Sequence, residues 1–317
     1  MRVILITLLL FSLSLAALPV VPEVLRPRLL GVARLTIRVS DIELATGFYR
    51  DLLGFQDGGR IGKSRRFRIN ERQTVELLPG LDPAQDRLIS VSLQTDRVEG
   101  MRRYLAARGW KAPATSSVNQ WGERVIQVAD PEGRWLEFIE LPAPQRVKVA
   151  ASPSQVTPRA TTGARPRQIS QRIMHAGIIV TRVPPALDFY NGQLGLREFW
   201  RGSGRDSKFL SWINMRLPES EDYLELMLYG EDPPGDRRGS AHHLCLEVPD
   251  IEAARTALES NPGFGSYKRP IEIRVGVNRR RQLNLFDPDG TRSELMEPRT
   301  IDGVPPVSST NPYPTYP

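Results

Sequence analysis

The chain has 317 residues, of which 40% are hydrophobic and 25% charged, and it carries a net charge of +7. That length predicts about two domains with ample apolar material for their cores, which excludes a small disulfide-stabilised scaffold. The only cysteine, Cys245, excludes an internal disulfide. Arginines scattered through both halves, with no nucleic-acid motif, read as a solvated basic surface, so no nucleic-acid partner is expected.

Residues 1–16 read as a secretory signal peptide. Arg2 supplies the positive start, "VILITLLLFSLSLAAL" runs uncharged from Val3 to Leu18, and Ser14 and Ala16 are small residues placed for cleavage. The run is short for a membrane span. The expectation is an exported protein, periplasmic or secreted, with no stable membrane span after processing.

Residues 29–142 form the first predicted domain. "ARLTIRV" alternates as a strand does, and Asp41 can cap a helix in which Leu44, Phe48 and Leu52 share a face, with Gly54 just past its end. A strand "TVELL" follows. The order then restarts with the strand "LISVSLQT", a helix holding Val98, Met101 and Leu105, and strands ending at "WLEFIEL". Residues 143–170, rich in Pro, Ser, Thr and Arg, read as a linker.

Residues 171–299 repeat the pattern: "HAGIIV", a helix opened by Pro184 and Pro185, "YLELML", "HLCLEV", a helix capped by Asp250, and "RSELME". Residues 300–317 are Pro-rich and expected to be a disordered tail. "GFYRDLLGF" recurs as "DFYNGQLGL" at an offset of 141 residues, and "DPEGRWLEFIE" as "DPDGTRSELME". Two copies of one domain are present, each with two strand–helix–strand units, which predicts an α+β fold with helices on one face of each sheet.

All three histidines fall in the second copy. Side chains alternate across a strand. In "HLCLEV" the leucines take one face and His243, Cys245 and Glu247 the other, while His242 falls with the leucines. The same alternation places His175, Glu225 and Glu294 opposite the apolar face of their strands. Two imidazoles and two carboxylates suit one divalent ion, Ni, Co, Zn, Mn or Fe. His175, Glu225, His243 and Glu294 are therefore the candidate metal ligands.

With these residues the chain resembles the vicinal oxygen chelate superfamily, on the "FY…LG" and "DPDG…E" motifs. The resemblance implies two domains of paired βαβββ modules, each a curved sheet around a cavity. The second copy is similar to glyoxalase I, which implies that the four ligands come from the first and last strands of each module. The four-module layout, with a first half that has lost the ligands, also resembles the extradiol ring-cleaving dioxygenases. Their two-histidine, one-carboxylate triad would fall on His175, His243 and Glu294. In the first copy Arg34 replaces His175, Ser90 replaces His243, and Glu76 and Glu137 remain. Arg34 is expected to neutralise Glu76 or Glu137 where a metal would sit.

The glyoxalase resemblance implies proton transfer beside a carbonyl of a small vicinal-oxygen substrate, with Glu294 as the first candidate base and Glu225 the second. The family's glutathione-contacting arginine and asparagine are Ile179 and Tyr229 here, so no glutathione conjugate is assigned. Candidate substrate contacts are Tyr229, Arg292 and Arg281, the last in the basic turn "NRRR". Two alternatives stay open: an Fe(II) ring-cleaving dioxygenase, and a metal-free binding module like the bleomycin-resistance relatives. Pairing of modules within each domain is favoured because it gives one complete site. A homodimer is compatible with the sequence.

Overall fold

The computed structural model describes residues 24–82, 85–141 and 167–315. The predicted signal peptide and residues 143–166 of the predicted linker lie outside them. The first half contains β1 (Leu29–Val39), α1 (Ile42–Thr46), β2 (Gln56–Ile61), β3 (Ser64–Arg68), β4 (Thr74–Pro79), β5 (Leu88–Thr95), α2 (Val98–Ala107), β6 (Ser117–Val118), β7 (Arg124–Ala129) and β8 (Trp135–Glu140). The second contains β9 (Ile173–Val180), α3 (Val183–Leu187), β10 (Arg197–Gly202), β11 (Trp212–Arg216), β12 (Tyr223–Leu228), α4 (Gly235–Ala241), β13 (His243–Glu247), α5 (Ile251–Ser260), β14 (Arg274–Val275), β15 (Arg280–Phe286) and β16 (Arg292–Thr300).

Each half is one eight-stranded curled sheet, ordered β2-β3-β4-β1-β5-β8-β7-β6 and β10-β11-β12-β9-β13-β16-β15-β14. Both modules of a sheet therefore come from the same half, as the pairing expectation held. The first strands of two modules meet antiparallel at the centre, and each module's last strand runs parallel to its first. The fold is α+β with two domains of the expected kind. Among the described residues, no helix is long and apolar enough to cross a membrane.

Asp41 and Asp250 cap α1 and α5, each accepting from two backbone amides at 2.8–3.0 Å. The first helix is shorter than its pattern predicts. α1 gives way to a π-helical turn over Gly47–Leu52, which changes the angular spacing and leaves Leu44 62% exposed while Phe48, Tyr49 and Leu52 are buried.

The π-helical turns hold the halves together. Tyr49 donates its hydroxyl to Asp287 of the second half (3.2 Å), and Tyr190 donates to Asp130 of the first (2.9 Å). The "FY" motif of each copy thus meets the "DP-G" turn of the other. Burial pushes both tyrosine hydroxyls well above their usual pKa, and pushes Asp287 up to about 6. One continuous apolar core runs through both halves.

Two expectations from composition are corrected. Residues 167–170 are packed rather than free: Ile169 N donates to Leu53 O (3.2 Å) and Gln168 Nε2 to Ile69 O (2.6 Å). The Pro-rich tail is also ordered through residue 315, because β10 is an edge strand whose free backbone groups it satisfies. Ser309 N donates to Arg201 O (2.9 Å), Leu210 N donates to Pro312 O (2.8 Å), and Ser309 and Ser203 share a hydroxyl hydrogen bond of 2.8 Å.

Candidate metal centre

Strand registry brings the four predicted ligands together on the concave side of the second sheet. Cys245 lies opposite both His175 and Glu294, and Gly177 opposite both Glu225 and His243. His175, His243, Glu294 and Glu225 are all buried, and one donor atom from each lies within 4.8 Å of all the others. The two Nε2 atoms are 3.0 Å apart. Glu225 Oε2 stands 3.7 Å from His175 Nε2 and 3.4 Å from His243 Nε2; Glu294 Oε2 is 3.5 Å from each. Donors about 2.1 Å from one ion are separated by about 3.0–3.4 Å in octahedral or tetrahedral sites, so the set fits one divalent ion.

The electrostatics favour a cation there. Burial pushes His175 down to about 4, so its ring is neutral and free to ligate. Burial raises the Glu294 pKa, but the His243 hydrogen bond and the Arg292 guanidinium outweigh it and hold the carboxyl at about 2. Glu225 is likewise held below its ordinary value, burial opposing and the two histidines prevailing. For His243, burial and Arg292 act downward, yet the two carboxylates hold the pKa above the ordinary value. Two ionised carboxylates and two inward imidazole nitrogens form a donor set that a metal ion completes.

Neighbouring groups orient the ligands. With His243 Nε2 facing the ion position, its Nδ1–H donates to Ala241 O (2.8 Å). The His175 ring packs on Tyr223, centroids 4.4 Å apart. Gly177 makes room for His243: a β-carbon there would lie 1.9 Å from Nδ1. Gly177→Ala is therefore expected to displace the ring and weaken metal binding by about ten- to a hundredfold, as other losses of ligand support do. Chelator competition measures it, and unchanged affinity would contradict the role given to this glycine. The signal in the sequence was one glycine in an apolar strand, two residues after His175.

His242 faces away, as alternation predicts. It lines a cavity between the halves, its Nδ1 accepts from Ile179 N (3.4 Å), and burial pushes it down to about 3. Both carboxylates open onto a cleft of 690 Å³ whose walls include Trp200, Trp212, Val277 and the tail residues Val307, Ser309 and Asn311. Arg292 lines this cleft, its Nη2 2.7 Å from His243 Nδ1. The other two predicted substrate contacts do not line it. Arg281 pairs with Glu297 (2.7 Å), because Gln282 takes the cleft face of β15 and alternation sends Arg281 to the other. Tyr229 sits just beyond β12, half-buried, its hydroxyl pushed up by burial.

The first half holds the same positions with other chemistry. Registry places Arg34 where His175 stands, Ser90 for His243, Glu76 for Glu225 and Glu137 for Glu294. Arg34 is hydrogen-bonded to Glu137, contacts Glu123 at 2.8 Å and Glu76 at 3.3 Å. A second guanidinium, Arg66, reaches Glu76 at 3.0 Å and Glu123 at 2.7 Å, and lies over the Trp121 ring. Arg34 thus neutralises both predicted carboxylates, and the network is larger than the sequence indicates.

The model of the glyoxalase/bleomycin resistance protein/dioxygenase superfamily matches residues 31–138 and 172–295. The chain belongs to this superfamily. Solved structures share the superfamily fold at low identity. The Mn(II)-bound glyoxalase from Novosphingobium aromaticivorans aligns with a TM-score of 0.63 at 15% identity, over 92% of this chain and 88% of that one. The 2,3-dioxygenase LapB from Pseudomonas sp. KL28 gives 0.64 at 17%, over 90% and 98%. The E323L mutant of homoprotocatechuate 2,3-dioxygenase from Brevibacterium fuscum gives 0.62 at 18%, over 87% and 73%. No curated protein matches by sequence.

Proposed function

We propose that this superfamily member is a metal-dependent lyase or isomerase of the glyoxalase I type, moving a proton beside a carbonyl of a small substrate with vicinal oxygens. Glu225 carries the reading. Its carboxylate faces both imidazoles from the cleft floor, a fourth ligand beyond the two-histidine, one-carboxylate set of non-haem Fe(II) oxygenases. Four protein ligands on a six-coordinate ion leave two positions, enough for two substrate oxygens but not for dioxygen as well. A divalent ion held here supplies Lewis-acid polarisation of those oxygens, which acidifies the adjacent C–H. Glu294, kept ionised and open to the cleft, would hold the ion through Oε2, which faces both imidazoles, and take the proton from that carbon on its other oxygen, returning it to the neighbouring carbon; Glu225 is the second candidate. Ni, Co, Zn, Mn or Fe suits the donor set.

Metal-loaded protein under argon is expected to exchange solvent deuterium into α-hydroxycarbonyl compounds, and Glu294→Gln to slow exchange at least about a hundredfold. Catechol-dependent oxygen uptake without exchange would replace this reading with ring cleavage. Failure of carefully isolated protein to hold metal would replace it with the binding module.

A further inference from the structure

Among the described residues, three arginines line the cleft, Arg205, Arg274 and Arg292, and the acidic lining residues are Glu225 and Glu294. Imidazoles ligate as neutral groups. A divalent ion therefore cancels both carboxylates, and the cleft is left with the charge of its arginines. Arg292 stands at the cleft floor, its Nη2 beside the His243 ring. Arg205 and Arg274 are exposed on the cleft wall. Among the described residues neither has an acidic partner within salt-bridge distance, whereas Arg279 and Arg281 of the basic turn are paired with Asp302 and Glu297. They also approach from opposite edges of the sheet, Arg205 from the β10–β11 connection and Arg274 from β14. The rim carries three exposed valines, Val275 46%, Val277 48% and Val307 92%, among polar residues such as Ser203, Asn278 and Asn311.

We infer that the substrate is an organic anion: a vicinal-oxygen head at the Glu225–Glu294 floor, an apolar body against the rim valines, and a carboxylate or phosphate at the mouth held by Arg205 and Arg274. This rests on the metal-dependent reading above and adds the substrate class. A cleft of 690 Å³ is of the size that holds such a molecule. Two unpaired guanidiniums are suited to an oxyanion because each offers a planar fork of donors and is weakly hydrated.

The test compares two chelators that differ only in distal charge, succinic monohydroxamate and its methyl ester, titrated calorimetrically into Zn(II)-loaded protein. The acid is expected to bind about tenfold more tightly than the ester at low salt, the scale of one charge-assisted contact, and the preference should shrink in high salt. In Arg205→Gln/Arg274→Gln the preference should fall to within about twofold, with zinc stoichiometry and ester affinity unchanged. Equal affinities in the wild type, a preference that survives in the double variant, or binding of neither chelator each overturns the inference. The two readings fail separately. Lost deuterium exchange with the acid preference intact removes the isomerase and leaves the anion site; equal affinities with exchange intact remove only the anion site.

Discussion

His243→Ala is expected to reduce bound metal from about one ion per chain to about none after dialysis, while His242→Ala keeps most of it. The two residues are adjacent and both buried, so composition or burial alone would not separate them. Facing does. His243 Nε2 is within 3.5 Å of His175, Glu225 and Glu294, whereas His242 lies at the cavity between the halves with Asp86 3.8 Å away. Metal analysis of both variants, with circular dichroism to show that each is folded, gives the answer. Loss of metal in His242→Ala alone would reverse the assignment of strand faces.

Arg34→Ala should destabilise the chain by about 3–5 kcal/mol, because it strands buried carboxylates with one guanidinium fewer. Arg34, Glu76, Glu123 and Glu137 are each less than a tenth exposed, so solvent cannot replace the lost charge. In a chain of 317 residues that corresponds to roughly 5–8 °C in thermal midpoint. Zinc stoichiometry in the second half should not change, since Arg34 stands at the corresponding position of the other sheet. The same network predicts acid sensitivity. Burial opposes ionisation of Glu123, yet Arg66 and Arg34 outweigh it and lower its pKa from 4.5 to about 2. A depressed carboxylate contributes stability that is full above its unfolded value and is lost as pH falls through the folded one. The urea midpoint should therefore decline from pH about 4.5 towards 2. A midpoint that ignores both the substitution and the acid would mean that the ion pairs contribute no net stability.

Periodicity made much of this molecule legible. "LISVSLQT" and "YLELML" coincide with β5 and β12, and both capping aspartates act as their positions predict. The convergence of the four candidate ligands was legible for the same reason: alternation assigns a face to each residue, and registry brings those faces together. Features that depend on three-dimensional neighbours were not legible. A π-helical turn alters residue spacing with no distinctive residue type, which exposed Leu44. α4, over "GDRRGSA", was not among the predicted elements. The tail looked unstructured because Ser308, Ser309 and Asn311, whose side chains help tie it to β10 and the following connection, are residue types that composition reads as loop. Arg205 and Arg274 resemble any solvated arginine until their lack of acidic partners and their place on the cleft wall are seen together. Arg66 and Glu123 come from distant parts of the sequence and are partners only after folding.

The reciprocal Tyr49–Asp287 and Tyr190–Asp130 bonds have a bearing on how the two copies can diverge. Each half completes a buried polar group that belongs to the other, inside an apolar core that both share. Excising either half would expose that core and orphan a carboxylate, so the halves expressed separately should be insoluble, and should recover only when produced together. A duplicated domain in that position can change the residues on the concave side of its sheet but not its partner-facing surface. The copy without histidines is the surface against which the copy carrying the His175, Glu225, His243 and Glu294 cluster packs.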